Sequence, residues 1–190
     1  LATSVSAAQD LAKKAEASGL LVGVNQQLRF DEGMAAAHMM VQKGWVGEVS
    51  GLSITVNIDT PWHLWDWAQS MERLEIMIHS IHYHDAVRWF LGNPKKVFAL
   101  AGRTAGQSPV GETRTVSNYL YDSGVVAVVH ANHINKGGDN LAEFRIDGSE
   151  GSIRGTLGLL YDYPTGRCDS LELFSHVAPT DGWVPYPVTQ

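Results

Sequence analysis

The sequence predicts an α+β fold: a large, mainly antiparallel, open-faced β-sheet with helices on one face, preceded by one helix and one strand that belong to a parallel sheet. Three observations predict it. Helical periodicity is confined to the first half of the chain and stops at Gly92 with Pro94 just beyond. Residues 52–59 alternate strictly between apolar and polar. From residue 96 onward the pattern changes to short strands with turn residues at Asp122-Ser123-Gly124 and Asp147-Gly148-Ser149-Glu150-Gly151.

Residues 4–18 read as a helix, because Val5, Ala8, Leu11, Ala12 and Ala15 recur at spacings of three and four. Ser4 or Ser6 caps it, Ser6 forming a capping box with Gln9, and Gly19 supplies the stop. Residues 20–24 are wholly apolar, the pattern of a strand covered on both faces as in a parallel sheet. A helix feeding such a strand is half of a βαβ unit, yet no strand comes before it. With Leu1 in place of Met, this predicts that residues 1–25 are the remnant of a neighbouring domain and residues 26–190 a domain of their own. The next helix is expected over residues 31–43, ending at Gly44. In the strand 52–59, Leu52, Ile54, Val56 and Ile58 take the core face and Ser53, Thr55, Asn57 and Asp59 the other. Residues 60–73 form a loop carrying Trp62, Trp65 and Trp67, and a third helix spans 74–91. Strands follow at 96–102, 113–121, 125–133, 141–146, 152–157 and 170–175, with a last candidate at 183–188.

Composition narrows the function. With 44% hydrophobic and 18% charged residues the chain can build a core, which rules out disorder and a disulfide scaffold. A net charge of −6 is the wrong sign for a nucleic-acid module. The longest apolar run, 124–131, is strand-sized, so no membrane span is expected. A single cysteine, Cys168, cannot form an internal disulfide, which predicts a reducing, cytoplasmic setting.

The densest polar cluster lies on the third helix: Glu75, His79, His82, His84 and Asp85. At about 100° per residue, Glu75, His79 and His82 share one narrow face, with Asp85 beside them and His84 pointing away. A carboxylate and two imidazoles on one stripe are costly to bury without purpose, so the stripe faces either solvent or a site. His84 is assigned to solvent and His82 to a site. A metal shared by Glu75, His79 and His82 is the alternative, but no H-E-x-x-H sequence or cysteine cluster supports it. His130 and His133, a second pair, project to opposite faces of a strand. No metal is therefore assigned. The sequence holds no G-x-S-x-G elbow, no G-x-G-x-x-G and no Walker A, so no residue of this chain is assigned to a cofactor. The three tryptophans of the 60–73 loop are either packing or a sugar-stacking lip.

The order of these features resembles a known family. An apolar strand runs into Val24-Asn25-Gln26-Gln27-Leu28-Arg29-Phe30, and a helix closes on Lys43-Gly44-Trp45-Val46-Gly47-Glu48-Val49. Then come His79-Ser80-Ile81-His82-Tyr83-His84-Asp85-Ala86-Val87-Arg88-Trp89-Phe90-Leu91-Gly92-Asn93-Pro94 and Glu143-Phe144-Arg145-Ile146-Asp147-Gly148-Ser149-Glu150-Gly151. This combination resembles the glucose–fructose oxidoreductase, inositol dehydrogenase and rhizopine-catabolism (Gfo/Idh/MocA) family over essentially the whole chain.

The resemblance implies a two-domain dehydrogenase of sugars, polyols or related compounds, using NAD or NADP held mainly by an N-terminal Rossmann domain. Residues 1–25 would be the last helix and strand of that domain, and this fragment alone is expected to be inactive. The resemblance makes His82 the catalytic histidine that exchanges a proton with the substrate hydroxyl, with His79 assisting. Many members carry an Asp four residues before that histidine, where this chain has Ile78. Arg29, Trp62, His63 and Asp85 become candidate substrate contacts. The family's open sheet implies a homodimer or tetramer, with Ser53, Thr55 and Val129 in the interface. A non-catalytic assembly or ligand-sensing domain of the same fold is the second reading, and a metal-dependent hydrolase or isomerase the third.

Overall fold

The computed structural model describes residues 2–157 and 170–188, so Cys168 lies outside the described residues. Helix α1 (Val5–Ser18) begins at Ser4, not Ser6: the Ser4 hydroxyl accepts from Ala7 N–H, and Gly19 closes the helix with a left-handed backbone. None of its residues is buried. Its apolar side faces Leu20, Val22 and Val24 across an open concavity of about 720 Å³. The strand expected at 20–24 pairs with no strand among the described residues. Its apolar pattern is that of a strand flanked on both sides, and no described residue supplies a neighbour.

A turn of 3₁₀ helix (Gln27–Phe30) leads into α2 (Glu32–Gln42), which Asp31 caps by accepting from Met34 N–H at 2.9 Å. Met34, Ala37 and Met40 face the sheet. Among the described residues eight strands form one mixed sheet: β1 (Val49–Asn57), β2 (Lys96–Gly102), β3 (Arg114–Leu120), β4 (Val126–Asn132), β5 (Leu141–Gly148), β6 (Gly151–Thr156), β7 (Leu171–Ser175) and β8 (Val184–Pro185). Their order is β2-β3-β4-β1-β5-β6-β7-β8, and every pairing is antiparallel except β1 with β4. β1 lies inside the sheet because its apolar set, Leu52, Ile54 and Val56, is the set the helices cover.

The third helix is not continuous. Short α3 (Asp66–Gln69) falls in what was expected to be loop, and residues 74–91 split into α4 (Glu75–Ile78) and α5 (Ser80–Leu91). At the break His79 adopts φ −114°, ψ −57°, and the start of α4 is fixed from far along the chain. Glu112, beyond β2, accepts from Leu74 N–H and Ile76 N–H through Oε1 and from Glu75 N–H through its backbone oxygen. These are the free donors of a helix start, so a helix start is fixed there. Tyr83, Ala86 and Val87 of α5 join α2 in packing on the sheet.

Helices cover one face and leave the other open, as the sequence predicts. Val129, however, is fully buried on the helix side; Val128 and His130 are its neighbours on the open face. That face is polar and holds a concavity of about 390 Å³ bordered by Ser53, Thr55, Glu143, Arg145, Arg154 and Glu172. Arg145 and Arg154 stand directly opposite each other. Such like-charged cross-strand pairs repel, and three partners offset it. Arg145 binds Asp147 at 2.7 Å, Arg154 binds Glu172 at 2.6 Å, and Trp183 lies 5.4 and 4.4 Å from the two guanidinium carbons.

The second hairpin turns on only Ser149 and Glu150, with Gly148 paired to Gly151. A Cβ on Gly148 would lie 2.2 Å from the Val46 carbonyl oxygen, and one on Gly151 2.2 Å from that of Phe174. Backbone cannot yield as a side chain can. Gly148→Ala is expected to lower stability by about 1–3 kcal/mol, read as a fall in the urea midpoint. Gly138→Ala is the control for a glycine with nothing within 4 Å but a positive φ.

Candidate active site

Two facing turns make the first half of the site. Arg29, from the 3₁₀ turn, donates to Asp85 of α5 through both Nε (2.7 Å to Oδ2) and Nη2 (2.8 Å to Oδ1). The guanidinium carbon lies 5.8 Å from the Trp89 ring, and Trp89 stacks on His38 at 4.0 Å. Three residues before Arg29, Gln26 Oε1 lies 2.8 Å from His82 Nδ1. His82 is half-buried, and burial lowers its pKa below the ordinary imidazole value while Asp85 works the other way. At neutral pH it is therefore uncharged. The predicted residues Arg29, His82 and Asp85 thus come together, with Arg29 and Asp85 occupied by each other.

The second half lies under the helix break. Glu75 is fully buried, and its carboxylate accepts from Ser80 Oγ at 2.5 Å and Thr115 Oγ1 at 2.6 Å. His133 Nε2 stands 3.4 Å from Glu75 Oε1, and His133 Nδ1 lies 2.9 Å from Thr60 Oγ1. His79 stacks on His133 with ring centres 4.2 Å apart, and its Nδ1 is buried without a hydrogen bond. Burial pushes the Glu75 carboxyl up to about 7 against its two hydroxyl donors, with Glu112 adding to the rise. The same burial pushes His79 down to about 4 and His133 well below its ordinary value. After burial, His82 adds to the fall at His79 and His79 to the fall at His133, so both are neutral.

The break therefore divides the predicted stripe. Glu75 and His79 turn toward β3 and the end of β4, while His82 meets Gln26. Glu75, His79 and His82 are not assembled as ligands: among the described residues no group of three or more metal-ligating side chains gathers. Trp62 is buried, donating from Nε1 to the His133 carbonyl at 3.0 Å and meeting the His79 ring edge-on, so it is a wall of this cluster rather than a lip. His63 is exposed and borders a separate concavity of about 240 Å³ with Thr60, Gln107 and Lys136. Ile78 packs with Trp62, Ala68 and Leu74. His84 does not face solvent: it bonds the Tyr119 hydroxyl beneath the helix, and burial pushes it down to about 4.

Sequence reasoning missed Gln26 and His133. The signal for His133 was available, since Ala127, Val129 and Ala131 alternate on the covered face and His133 is next in that series. Nothing local marks Gln26, whose partner is 56 residues away.

Residues 34–154 match the family model of the GFO/IDH/MocA C-terminal domain. No curated protein matches significantly. Solved structures similar in fold include an oxidoreductase from Agrobacterium radiobacter in complex with NAD+, L-tartaric acid and magnesium (TM-score 0.82, 20% identity, covering 97% of this chain and 51% of that one). An inositol dehydrogenase homolog from Azotobacter vinelandii, complexed with NADH and myo-inositol, follows at TM-score 0.72 and 16% identity, covering 94% and 45%. The WlbA dehydrogenase from Bordetella pertussis, with NADH and UDP-GlcNAcA, gives 0.69 and 17%, covering 77% and 47%. The chain spans about half the length of these structures.

The buried groups set a pH dependence. His79, His84 and His133 take up a proton less readily in the folded chain than in the unfolded one, so each loses stability as pH falls below about 6.5. Glu75 runs the other way, its folded pKa of about 7 lying above 4.5, and it loses stability as pH rises through that interval. Three histidines outweigh one carboxyl. The urea midpoint is expected to fall from pH 6.5 to 4.5, less steeply in His84→Gln and more steeply in Glu75→Gln.

Proposed function

This chain belongs to the GFO/IDH/MocA family, and on that premise we propose that it is the C-terminal, substrate-handling part of an NAD(P)-dependent dehydrogenase acting on a sugar, a polyol or a related hydroxyl compound. Residues 1–25 are then the end of the dinucleotide-binding domain, and the apolar face shared by α1 and residues 20–24 is the surface that domain covers. The observation that carries the reading is His82: a half-buried, uncharged imidazole at the seam between residues 26–30 and α5, with one nitrogen already engaged. That is the state required of a general base for a hydroxyl proton near neutral pH.

In this reading His82 Nε2 takes the proton from a substrate CH–OH as the carbon gives up hydride, and returns it in the reverse direction. The nicotinamide supplies the hydride acceptor. Among the described residues no glycine-rich loop leads into a helix to cradle a pyrophosphate, so no residue here is assigned to hold the cofactor and no step is derived through it. His79, uncharged and nearly closed off by Trp62 and His133, shapes the wall behind His82. The hydroxyl-rich molecules bound by the neighbours support the substrate class. The polar open face, with its Arg145 and Arg154 pair, is the surface for a second copy of the chain.

Ile78 favours a second reading, a non-catalytic ligand-sensing domain. It stands where many members have a catalytic Asp, and it is packed among Trp62, Ala68 and Leu74. One variant separates the two. In the full-length protein His82→Ala is expected to lower kcat by about 10²–10⁴-fold with cofactor affinity unchanged; turnover at the wild-type rate would overturn the dehydrogenase reading. Light scattering is expected to report a dimer or tetramer, and a monomer at high concentration would remove the open-face assignment.

A further inference from the structure

Gln26 and Arg29 are three residues apart, and so are His82 and Asp85. On two facing turns this spacing makes two parallel cross-links, Gln26 with His82 and Arg29 with Asp85. The first is a bond between an amide oxygen and Nδ1. An amide oxygen can only accept, so Nδ1 carries the hydrogen and Nε2 keeps its lone pair. We propose that Gln26 is a positioning residue that holds His82 in the Nδ1–H tautomer, and that the Arg29–Asp85 pair is the clamp that keeps Gln26 in place rather than a set of substrate contacts.

The clamp is built for rigidity. Both Asp85 oxygens are taken by one guanidinium, a forked geometry that fixes orientation as well as distance. Trp89 lies against that guanidinium and is itself stacked on His38 of α2, so the turn, α2 and α5 are tied together. Arg29 N–H donates to the Gln26 carbonyl at 3.1 Å, which couples the two rungs through one turn of backbone. Ile78 makes this arrangement necessary. With an isoleucine four residues before His82, and Glu75 turned under the break, the amide of Gln26 is the hydrogen-bond partner found on the His82 ring. Free imidazole has two tautomers close in energy, and a base must present one nitrogen consistently; loss of the orienting partner leaves the wrong one exposed part of the time.

The inference rests on His82 being the acid–base group, and the experiment separates the two claims. The full-length protein is labelled with 15N-histidine, and the ring nitrogens of His82, assigned by their loss in His82→Ala, report the tautomer directly. The wild type is expected to show a protonated Nδ1 and an unprotonated Nε2 above pH 7. Gln26→Leu is expected to move the signals toward the opposite tautomer or an average of both, and to lower kcat by about 10- to 100-fold, the scale known for partners that orient metal-bound histidines. Gln26→Glu keeps the acceptor. It is expected to restore the Nδ1–H signal and to move the acidic limb of the kcat/KM profile upward, because a carboxylate favours the imidazolium. The charged and titratable groups facing His82 are Asp85 on its own helix and His79 across the break, and neither is altered in the Gln26 variants. Arg29→Lys, which loses the fork, is expected to broaden the His82 signals without eliminating them. A wild-type Nε2–H tautomer, or ring signals unchanged in Gln26→Leu, would overturn the positioning role even if His82→Ala is inactive. Full turnover in His82→Ala, with the tautomer shift still seen in Gln26→Leu, would overturn the dehydrogenase reading instead.

Discussion

A single buried carboxylate organises this end of the molecule. Glu75 has no access to water, and a charge in that position is tolerated only when its lone pairs are satisfied. Ser80 from α5, Thr115 from β3 and His133 from the end of β4 converge on it. Three separate elements are thereby held to one point. The direction in which α5 leaves that point follows, and with it the side of the helix that reaches the 26–30 turn. Were α4 and α5 one helix, Glu75, His79 and His82 would share a stripe, and His82 could not meet Gln26 while Glu75 meets β3.

The two halves of the site use opposite electrostatic strategies. Under the break, charge is suppressed: the imidazoles of His79 and His133 are kept neutral chiefly by burial, and Glu75 is shifted toward its protonated form. At the seam, charge is kept and paired, with Arg29 partly open to solvent against a better-covered Asp85. His82 lies between these regimes and is tuned by both, pulled down by burial and up by Asp85. A titratable group with opposed influences is responsive to small changes in its surroundings, which is the usual condition of an acid–base residue.

Most of the sheet was legible in the sequence because its information is local. The alternation in residues 52–59 and the turn at Asp122-Ser123-Gly124 each depend on residues within a few positions of one another. What was not legible depends on partners far along the chain. The start of α4 is held by Glu112, some 38 residues from Leu74. Nothing in the segments around Arg29 and Asp85 announces that the two bind each other across 56 residues, so sequence alone leaves each a free substrate contact. Val129 was placed on the open face although the alternation of β4 puts it under the helices with Ala127 and Ala131. Residues 20–24 have the composition of a central strand, and composition alone cannot supply a neighbour to pair with.

That unpaired stretch bears on how the chain behaves in a crowded solution. Leu20, Leu21, Val22 and Val24 are all exposed beside the apolar side of α1. An apolar segment paired with no strand is a template onto which another polypeptide can add one. The charge of −6 keeps molecules apart on average, but it does not screen a local patch of this kind. Colloidal stability therefore depends on whether five residues find a proper lid, and any uncovered population is the seed from which aggregation starts.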